Sequence, residues 1–134
     1  MAIQLSVTAR NARLDAIETT VGTSANLYIR TGSAPADCAT ADSGSLLATI
    51  ALPSDWMAAA SSGSKAKSGT WSVAASGTGT AAHFRVKDSG GTTCHIQGTV
   101  TATGGGGDMT LDNTSIASGQ TITVSTFTLT DANA

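Results

Sequence analysis

Two histidines and one cysteine are the side chains best suited to bind a soft metal ion. His83, Cys94 and His95 lie close together in the sequence, within one predicted β-hairpin. A structural zinc site needs four well-spaced ligands. The hairpin places the two histidines on one face and Cys94 on the other, and no third ligand accompanies the histidines. We therefore predict no bound metal, with both histidines at the surface or in an interface.

Carboxylates beside a glycine run are a second possible ligand set. Asp108, Asp112 and Asn113 follow Gly104–Gly107. This spacing does not match the twelve-residue calcium loop flanked by helices. No GK[ST] motif follows the glycines, so a phosphate-binding loop is not indicated either. The run predicts a mobile loop.

Catalytic patterns are missing from the sequence. It contains many serines but no GxSxG nucleophile elbow. Asp108 and Asp112 are the only acidic residues close together in a predicted strand, which gives no support to a glycosidase-like pair. We predict that the protein is not an enzyme and has no cofactor.

The few aromatic residues allow two interpretations. Trp56, Trp71, Tyr28 and Phe84 could line a sugar-binding surface. Because only 4% of the 134 residues are aromatic, they are better interpreted as anchors of the core and of an interface.

Composition predicts one ordered domain over residues 1–134. The chain is 40% hydrophobic and has a net charge of −2, whereas disordered chains combine low hydrophobicity with high net charge. Charged residues make up only 12%, which suits a protein that functions inside an assembly. Nucleic-acid binding would need a basic stripe, which the sequence lacks.

The sequence predicts neither a signal peptide nor a membrane span. Arg10 and Arg13 interrupt the first apolar residues, and no apolar run approaches eighteen residues. Without a secretion signal, Cys38 and Cys94 are expected to be small buried thiols rather than a disulfide.

Periodicity predicts one helix followed by short strands. Leu14, Ile17 and Val21 recur at helical spacing, which places a helix at about residues 8–21. Ser6 or Thr8 can act as its N-cap, and Gly22 suits its C-terminal end. Alternating apolar residues then predict strands near 25–30, 46–52, 71–73, 81–87, 94–100, 109–111 and 121–130. No structure is predicted for residues 54–69, and residues 32–45 should form a surface loop.

The hairpin at residues 81–100 allows a prediction of register. Keeping the apolar residues of both arms on one face requires even residues to oppose even residues. We therefore predict a three-residue loop, residues 89–91, with Val86 opposite Cys94 and Phe84 opposite Ile96. His83 would then oppose Gln97, and His95 would oppose Arg85.

The final strand changes phase along its length. Ile122 and Val124 are even, whereas Phe127 and Leu129 are odd, which predicts a β-bulge near Ser125. The fold class is thus mainly β: an antiparallel β-sandwich or small barrel with one N-terminal helix. The predicted core comprises Phe84, Val86, Cys94, Ile96, Ile122, Val124, Phe127 and Leu129.

Four segments resemble small structural proteins encoded among the late, virion genes of tailed bacteriophages. The segments are ARNARLDAI (9–17) with LYIRTGSAP (27–35), LLATI (46–50), GTAAHFRVKDSGG (79–91) with Gly98, and LDNTSIASGQTITV (111–124). The resemblance spans nearly the whole chain in order. It implies a β-rich, non-enzymatic virion component.

Within the virion, this resemblance favours a capsid decoration, or cement, protein that stabilises the mature head. The chain has one compact domain and lacks fibre-like repeats. The expected partners are the major capsid protein and further copies of the chain, most simply as a trimer, with assembly in the host cytoplasm and no nucleic-acid or membrane partner. A tail, neck or fibre component and a carbohydrate-binding module are the alternatives.

The expected contact regions are the N-terminal segment and residues 32–69, because a rigid β-domain leaves recognition to its irregular parts. The edge of the exposed final strand should be covered by a partner. The candidate interface residues are Arg10, Arg13, Tyr28, Trp56, Met57 and Trp71.

Overall fold

The computed structural model describes residues 2–133 as one helix and nine strands. The elements are α1 (Val7–Val21), β1 (Asn26–Thr31), β2 (Leu46–Ala51), β3 (Ser64–Ala66), β4 (Ser72–Ala74), β5 (Gly79–Lys87), β6 (Cys94–Ala102), β7 (Met109–Leu111), β8 (Ser115–Ile116) and β9 (Thr121–Thr130). The predicted class, mainly β with one N-terminal helix, is confirmed. Strands β3 and β8 were not predicted, because each is too short to show an alternating pattern.

Helix α1 begins and ends where the sequence predicts. The Ser6 hydroxyl accepts a hydrogen bond from the amide of Ala9, as an N-cap does. At the other end Gly22 has a φ of +91°, and its amide donates to the carbonyl of Glu18. Leu14 and Val21 are the buried residues of the helix, so α1 lies on the domain rather than inside it.

The strands form one sheet that curls into an open half-barrel. The strand order is β2-β1-β5-β6-β7-β9-β3, with β4 also paired to β9 and β8 to β5. All pairs are antiparallel except β6 with β7, which run parallel, so the expectation of a fully antiparallel sheet is wrong at this pair. The amides of Ser76 and Gly77, just after β4, donate to the carbonyl of Leu47 in β2 and bring the two ends of the curl together.

Strand β9 is paired along both edges by its own chain. Its first half pairs with β4 and its last residues with β3, while β7 pairs with its other edge. The prediction that a partner covers this strand is therefore wrong. The hydrogen-bonding groups that invite aggregation at an open edge are already satisfied within the monomer.

The β5–β6 hairpin keeps the predicted parity but has a longer loop. Val86 pairs with Ile96 and Phe84 with Gly98, so each even residue faces a partner two positions further along than predicted. The cause is the Asp88 side chain, whose carboxylate accepts hydrogen bonds from the amides of Thr92 and Thr93. This capping organises a six-residue loop at 88–93.

The phase change in β9 is a β-bulge, as predicted. Thr110 pairs with Thr126 but Leu111 pairs with Val124, which leaves Ser125 as the extra residue. The bulge returns Phe127 to the core face, where it is buried together with Ile122 and Val124. Of the predicted core, Cys94, Ile96 and Leu129 are only half-buried, and the other five residues are buried.

Four aromatic rings at the centre of the core contact one another in sequence and are called here the aromatic row. Trp56 contacts Trp71 at a centroid distance of 6.1 Å, Trp71 contacts Phe127 at 5.7 Å, and Phe127 meets Phe84 edge-on at 5.4 Å. Each indole nitrogen donates to a backbone carbonyl, Trp56 to Gly22 and Trp71 to Ser68. A chain with only five aromatic residues thus places four of them in one continuous contact.

Candidate functional site

The loop at residues 32–45, called here the covering loop, lies over the odd-numbered face of β5 and β6. Four side chains of the sheet bind its backbone carbonyls: His83 contacts Gly32, Gln97 donates to Pro35, Arg30 donates to Ser43, and Arg85 donates to several. The covering loop is the surface loop that the sequence predicts, and side chains of the sheet hold it in place.

Arg85 is the principal anchor of the covering loop. Its side chain is only 2% exposed. One terminal nitrogen donates to the Thr40 carbonyl at 2.9 Å and to Asp42 Oδ1 at 2.6 Å, and the other donates to the Cys38 carbonyl at 2.8 Å. The planar guanidinium offers five donors in a fixed geometry, which suits it to hold several oxygens of one loop at once.

Asp42 is shared by three cations. Besides Arg85, it accepts a hydrogen bond from Lys87 Nζ at 2.7 Å and lies 3.7 Å from a terminal nitrogen of Arg30. Hydrogen bonds from Lys87 and Arg85 hold the pKa of Asp42 below its ordinary value of 3.8. The carboxylate balances the positive charge of the sheet face and ties the loop to it.

His83 lies beneath the start of the covering loop. The side chain is completely buried, so the prediction of a surface or interface histidine is wrong for this residue. Its Nδ1 lies 2.7 Å from the carbonyl oxygen of Gly32, while Nε2 has no hydrogen-bond partner among residues 2–133. The sequence suggested a solvent-facing strand because it gave no sign that the loop folds back over that face.

A second charged cluster attaches α1 to residues 54–69, called here the docking segment. Lys65, 2% exposed, donates to Asp15 Oδ1 at 2.7 Å and contacts Glu18 Oε2 at 2.8 Å. Burial alone would lower the pKa of Lys65, but its hydrogen bonds to Asp15 and Glu18 outweigh burial, and the pKa is raised. The hydrogen bond from Lys65, helped by the amide of Ala60, lowers the pKa of Asp15.

The cluster lines an open cleft of about 570 Å³ between the helix and the docking segment. The helix also accepts hydrogen bonds from segment amides, Met57 to Glu18 and Gly63 to Asn11. Side-chain oxygens on α1 thus replace the missing backbone partners of an irregular segment. Asp15, Glu18 and Lys65 are paired within this contact, which accounts for these three charges without a ligand.

Three of the six candidate interface residues lie near the surface. Arg13 is 63% exposed and pairs with Asp131 at 3.2 Å. Arg10 is half-buried and donates to the carbonyl of Asp131. Tyr28 is half-buried under Lys87, whose Nζ lies 5.1 Å from the ring centroid.

The other three candidates, Trp56, Met57 and Trp71, are at most 1% exposed. They fill the core, so their side chains offer no surface to a partner. The prediction is corrected here because irregular sequence around Trp56 hid the fact that the docking segment folds inward. A sugar-binding surface built on Trp56 or Trp71 loses its structural basis for the same reason.

The other ligand candidates do not converge. No group of three or more His, Cys, Asp or Glu residues within residues 2–133 is arranged to hold a metal ion. Asp108 Oδ2 accepts hydrogen bonds from Thr99, and Asp112 Oδ1 accepts from the amides of Asn113 and Thr123. These carboxylates stabilise turns. His95 is half-buried and lines a shallow groove beside α1, together with Ile17.

Comparisons with models of known protein families, with curated proteins and with solved structures found no match for this chain. Within the described residues, no helix is long and apolar enough to cross a membrane.

Sequence reasoning did not identify Arg85, Asp42 and Lys65 as organising residues. The available signal was the alternation of polar residues His83, Arg85 and Lys87 opposite an apolar face. Such alternation is typical of a solvated face and gives no indication of a covering loop.

Proposed function

We propose that this chain is a non-enzymatic structural protein of a tailed-phage virion, and within it a capsid decoration protein that stabilises the mature head. The resemblance of four ordered segments to late-gene virion proteins supports this assignment. The organisation of the molecule also supports it, because buried charged side chains attach the covering loop to the sheet and helix α1 to the docking segment.

The observation that carries the proposal is the apolar N-terminal arm, residues 2–6. Ile3 is 87% exposed and Val7, the first residue of α1, is 47% exposed. The base of the arm is fixed by two hydrogen bonds between Leu5 and Asn133. Large apolar side chains held in water at a fixed position suit burial against another protein.

A decoration protein acts by joining neighbouring capsid subunits. Many weak contacts that exist only on the expanded lattice stabilise that lattice by mass action and avidity. The arm and the outer surface of the covering loop are the contact regions we assign. The major capsid protein is the proposed partner, and a homo-oligomer, most simply a trimer, is the proposed binding unit.

The direct test is a density map of the particle that carries this chain. We expect the half-barrel on the outer face of the shell in many copies, with the arm buried against a neighbouring copy or against the capsid. A position in the tail or neck, in few copies and without capsid contact, would contradict the decoration assignment and support the alternative of a tail or neck component.

A binding test isolates the arm. Purified Ile3→Asp protein should bind expanded capsids that lack the wild-type protein at least about tenfold more weakly, because the charge opposes burial of the apolar side chain. Ser89→Asp is the matched control, since it adds the same charge to the exposed β5–β6 loop, which the proposal leaves free. Equal loss of binding in both variants would contradict the role of the arm.

A further inference from the structure

The sulfur atoms of Cys38 and Cys94 lie 2.8 Å apart, although the two residues are 56 positions apart in the chain. Both thiols are free and half-buried. Cys38 belongs to the covering loop and Cys94 begins β6. The pair therefore spans the contact between the loop and the sheet that it covers.

The surroundings of the pair favour thiol chemistry. Nε of Arg85 donates to Cys94 Sγ at 3.3 Å, which places a cationic group directly beside this sulfur. Both cysteines also line a surface cleft of about 170 Å³, together with Thr40, Arg85 and Thr92. The pair therefore lies at the surface of the molecule, where a small oxidant can approach it.

The two cysteines have different roles in this geometry. Burial, followed by the hydrogen bond with Cys94, raises the pKa of the Cys38 thiol to about 11. Cys38 is therefore a poor first nucleophile, and we assign the first attack to Cys94, whose sulfur contacts Nε of Arg85. Once the Cys94 sulfur is covalently capped, its hydrogen bond and charge no longer oppose ionisation of Cys38.

We propose that Cys38 and Cys94 form a redox-dependent crosslink that fixes the covering loop to the sheet, with Cys94 as the attacking and Cys38 as the resolving cysteine. The inference is independent of the proposed function, because it concerns two side chains and a small disulfide oxidant of the glutathione class.

The reaction balances as two exchange steps. The Cys94 thiolate attacks one sulfur of the small disulfide, forms a mixed disulfide and releases one thiolate. The Cys38 thiolate then attacks the Cys94 sulfur, forms the Cys38–Cys94 bond and releases the second thiolate. The two protein thiols lose two protons and two electrons, and the small disulfide is reduced to two thiols.

The test uses the full-length wild-type protein, equilibrated with either oxidised or reduced glutathione. The oxidised sample should contain no free thiols after denaturation, a mass lower by two hydrogen atoms, and no bound glutathione. Its melting temperature should exceed that of the reduced sample by about 10 °C, because the crosslink restricts the unfolded chain. Cleavage within the covering loop by a protease should slow in parallel.

Single-cysteine variants test the assigned order. In Cys38→Ser the remaining Cys94 should react with oxidised glutathione faster than Cys38 does in Cys94→Ser, because burial still opposes ionisation of Cys38 in that variant. Both variants should retain bound glutathione, since neither can complete the second step. Circular dichroism establishes that each is folded.

Three results would overturn the proposal. They are persistence of two free thiols in oxidised wild-type protein, crosslinks between chains in place of the internal bond, and an unchanged melting temperature on oxidation. Faster reaction of Cys38 than of Cys94 would overturn the assigned order of attack.

Discussion

At the scale of single residues, Arg85 couples the covering loop to the sheet. Arg85→Met would remove five hydrogen bonds and leave loop carbonyls without partners. We expect a loss of about 3 kcal/mol in the free energy of unfolding, measured in urea, and faster proteolysis of residues 32–45. Lys87→Gln is the matched control, because Lys87 binds the same Asp42 but no carbonyl of the covering loop, and it should cost less than Arg85→Met. Equal effects of the two changes would contradict the anchor role of Arg85.

The stability that the contact between the covering loop and the sheet provides should depend on pH, because Asp42 is part of it. Its folded-state pKa lies below the ordinary 3.8, so its stabilising contribution is complete well above pH 3.8 and is lost as the pH falls through the lowered value. The free energy of unfolding should therefore fall between pH 5 and pH 3, and it should fall less in Asp42→Asn. The decrease remaining in that variant belongs to Asp15, Asp37 and Asp88, whose pKa values are also lowered. Identical pH profiles for wild type and variant would show that Asp42 contributes nothing.

At the scale of elements, the pairing of β5 with β6 requires a glycine at position 98. A Cβ there would lie 2.9 Å from Cε1 of Phe84 and 2.8 Å from Oδ2 of Asp108. Gly98→Ala should thus reduce the free energy of unfolding by about 1–3 kcal/mol through displacement of Phe84. Gly90→Ala, in the loop of the same hairpin, meets only ordinary contacts at 3.7–3.8 Å and should be close to neutral. Thermal melts of both variants measure the difference, and a neutral Gly98→Ala would contradict the packing.

A second prediction at this scale concerns the packing of the aromatic row. Phe127 contacts both Trp71 and Phe84, so its truncation removes two of the three ring contacts in the aromatic row. Phe127→Ala should cost about 3–5 kcal/mol in urea unfolding, whereas the exposed neighbour Thr128→Ala should cost less than about 1 kcal/mol. A cost below about 2 kcal/mol would indicate that the ring is not part of a close-packed core.

The elements that sequence predicted well are those fixed by local pattern. Helix α1, the strands with clear alternation and the bulge at Ser125 follow from periodicity and capping residues, which act over a few positions. The loop length at 88–93 was missed because it depends on hydrogen bonds of one side chain, Asp88. Strand β3 and the burial of Trp56 depend on pairing with β9 and on contacts far along the chain, which no local pattern encodes.

The candidate interface was harder to predict for a related reason. Arginine and tryptophan are common interface residues, but the same chemistry serves inside a monomer that must fasten irregular segments to a sheet. Trp56 and Trp71 anchor the docking segment to the core, and Arg85 anchors the covering loop. The sequence identifies such side chains as anchors, and the tertiary structure decides whether they hold a segment of the same chain or a partner.

At the scale of the whole molecule, the pairing of β9 along both edges lets the monomer fold without forming an oligomer. Because strands of the same chain pair with both edges of β9, the monomer does not need a neighbour to cover this strand. Assembly would then depend on the arm, where Ile3 is exposed. Sedimentation of the wild-type protein should show a homo-oligomer, with the trimer as the simplest form.

Ile3→Asp should therefore be monomeric at concentrations where the wild type is an oligomer. At dilutions where both proteins are monomeric, their melting temperatures should be equal. The melting temperature of the wild type should rise with protein concentration, whereas that of Ile3→Asp should not, because only association links stability to concentration. Ser89→Asp should behave as wild type in both measurements. If Ile3→Asp remains a full oligomer, the interface lies elsewhere. If it unfolds as a monomer, the arm supports the fold itself, and the separation of folding from assembly is wrong.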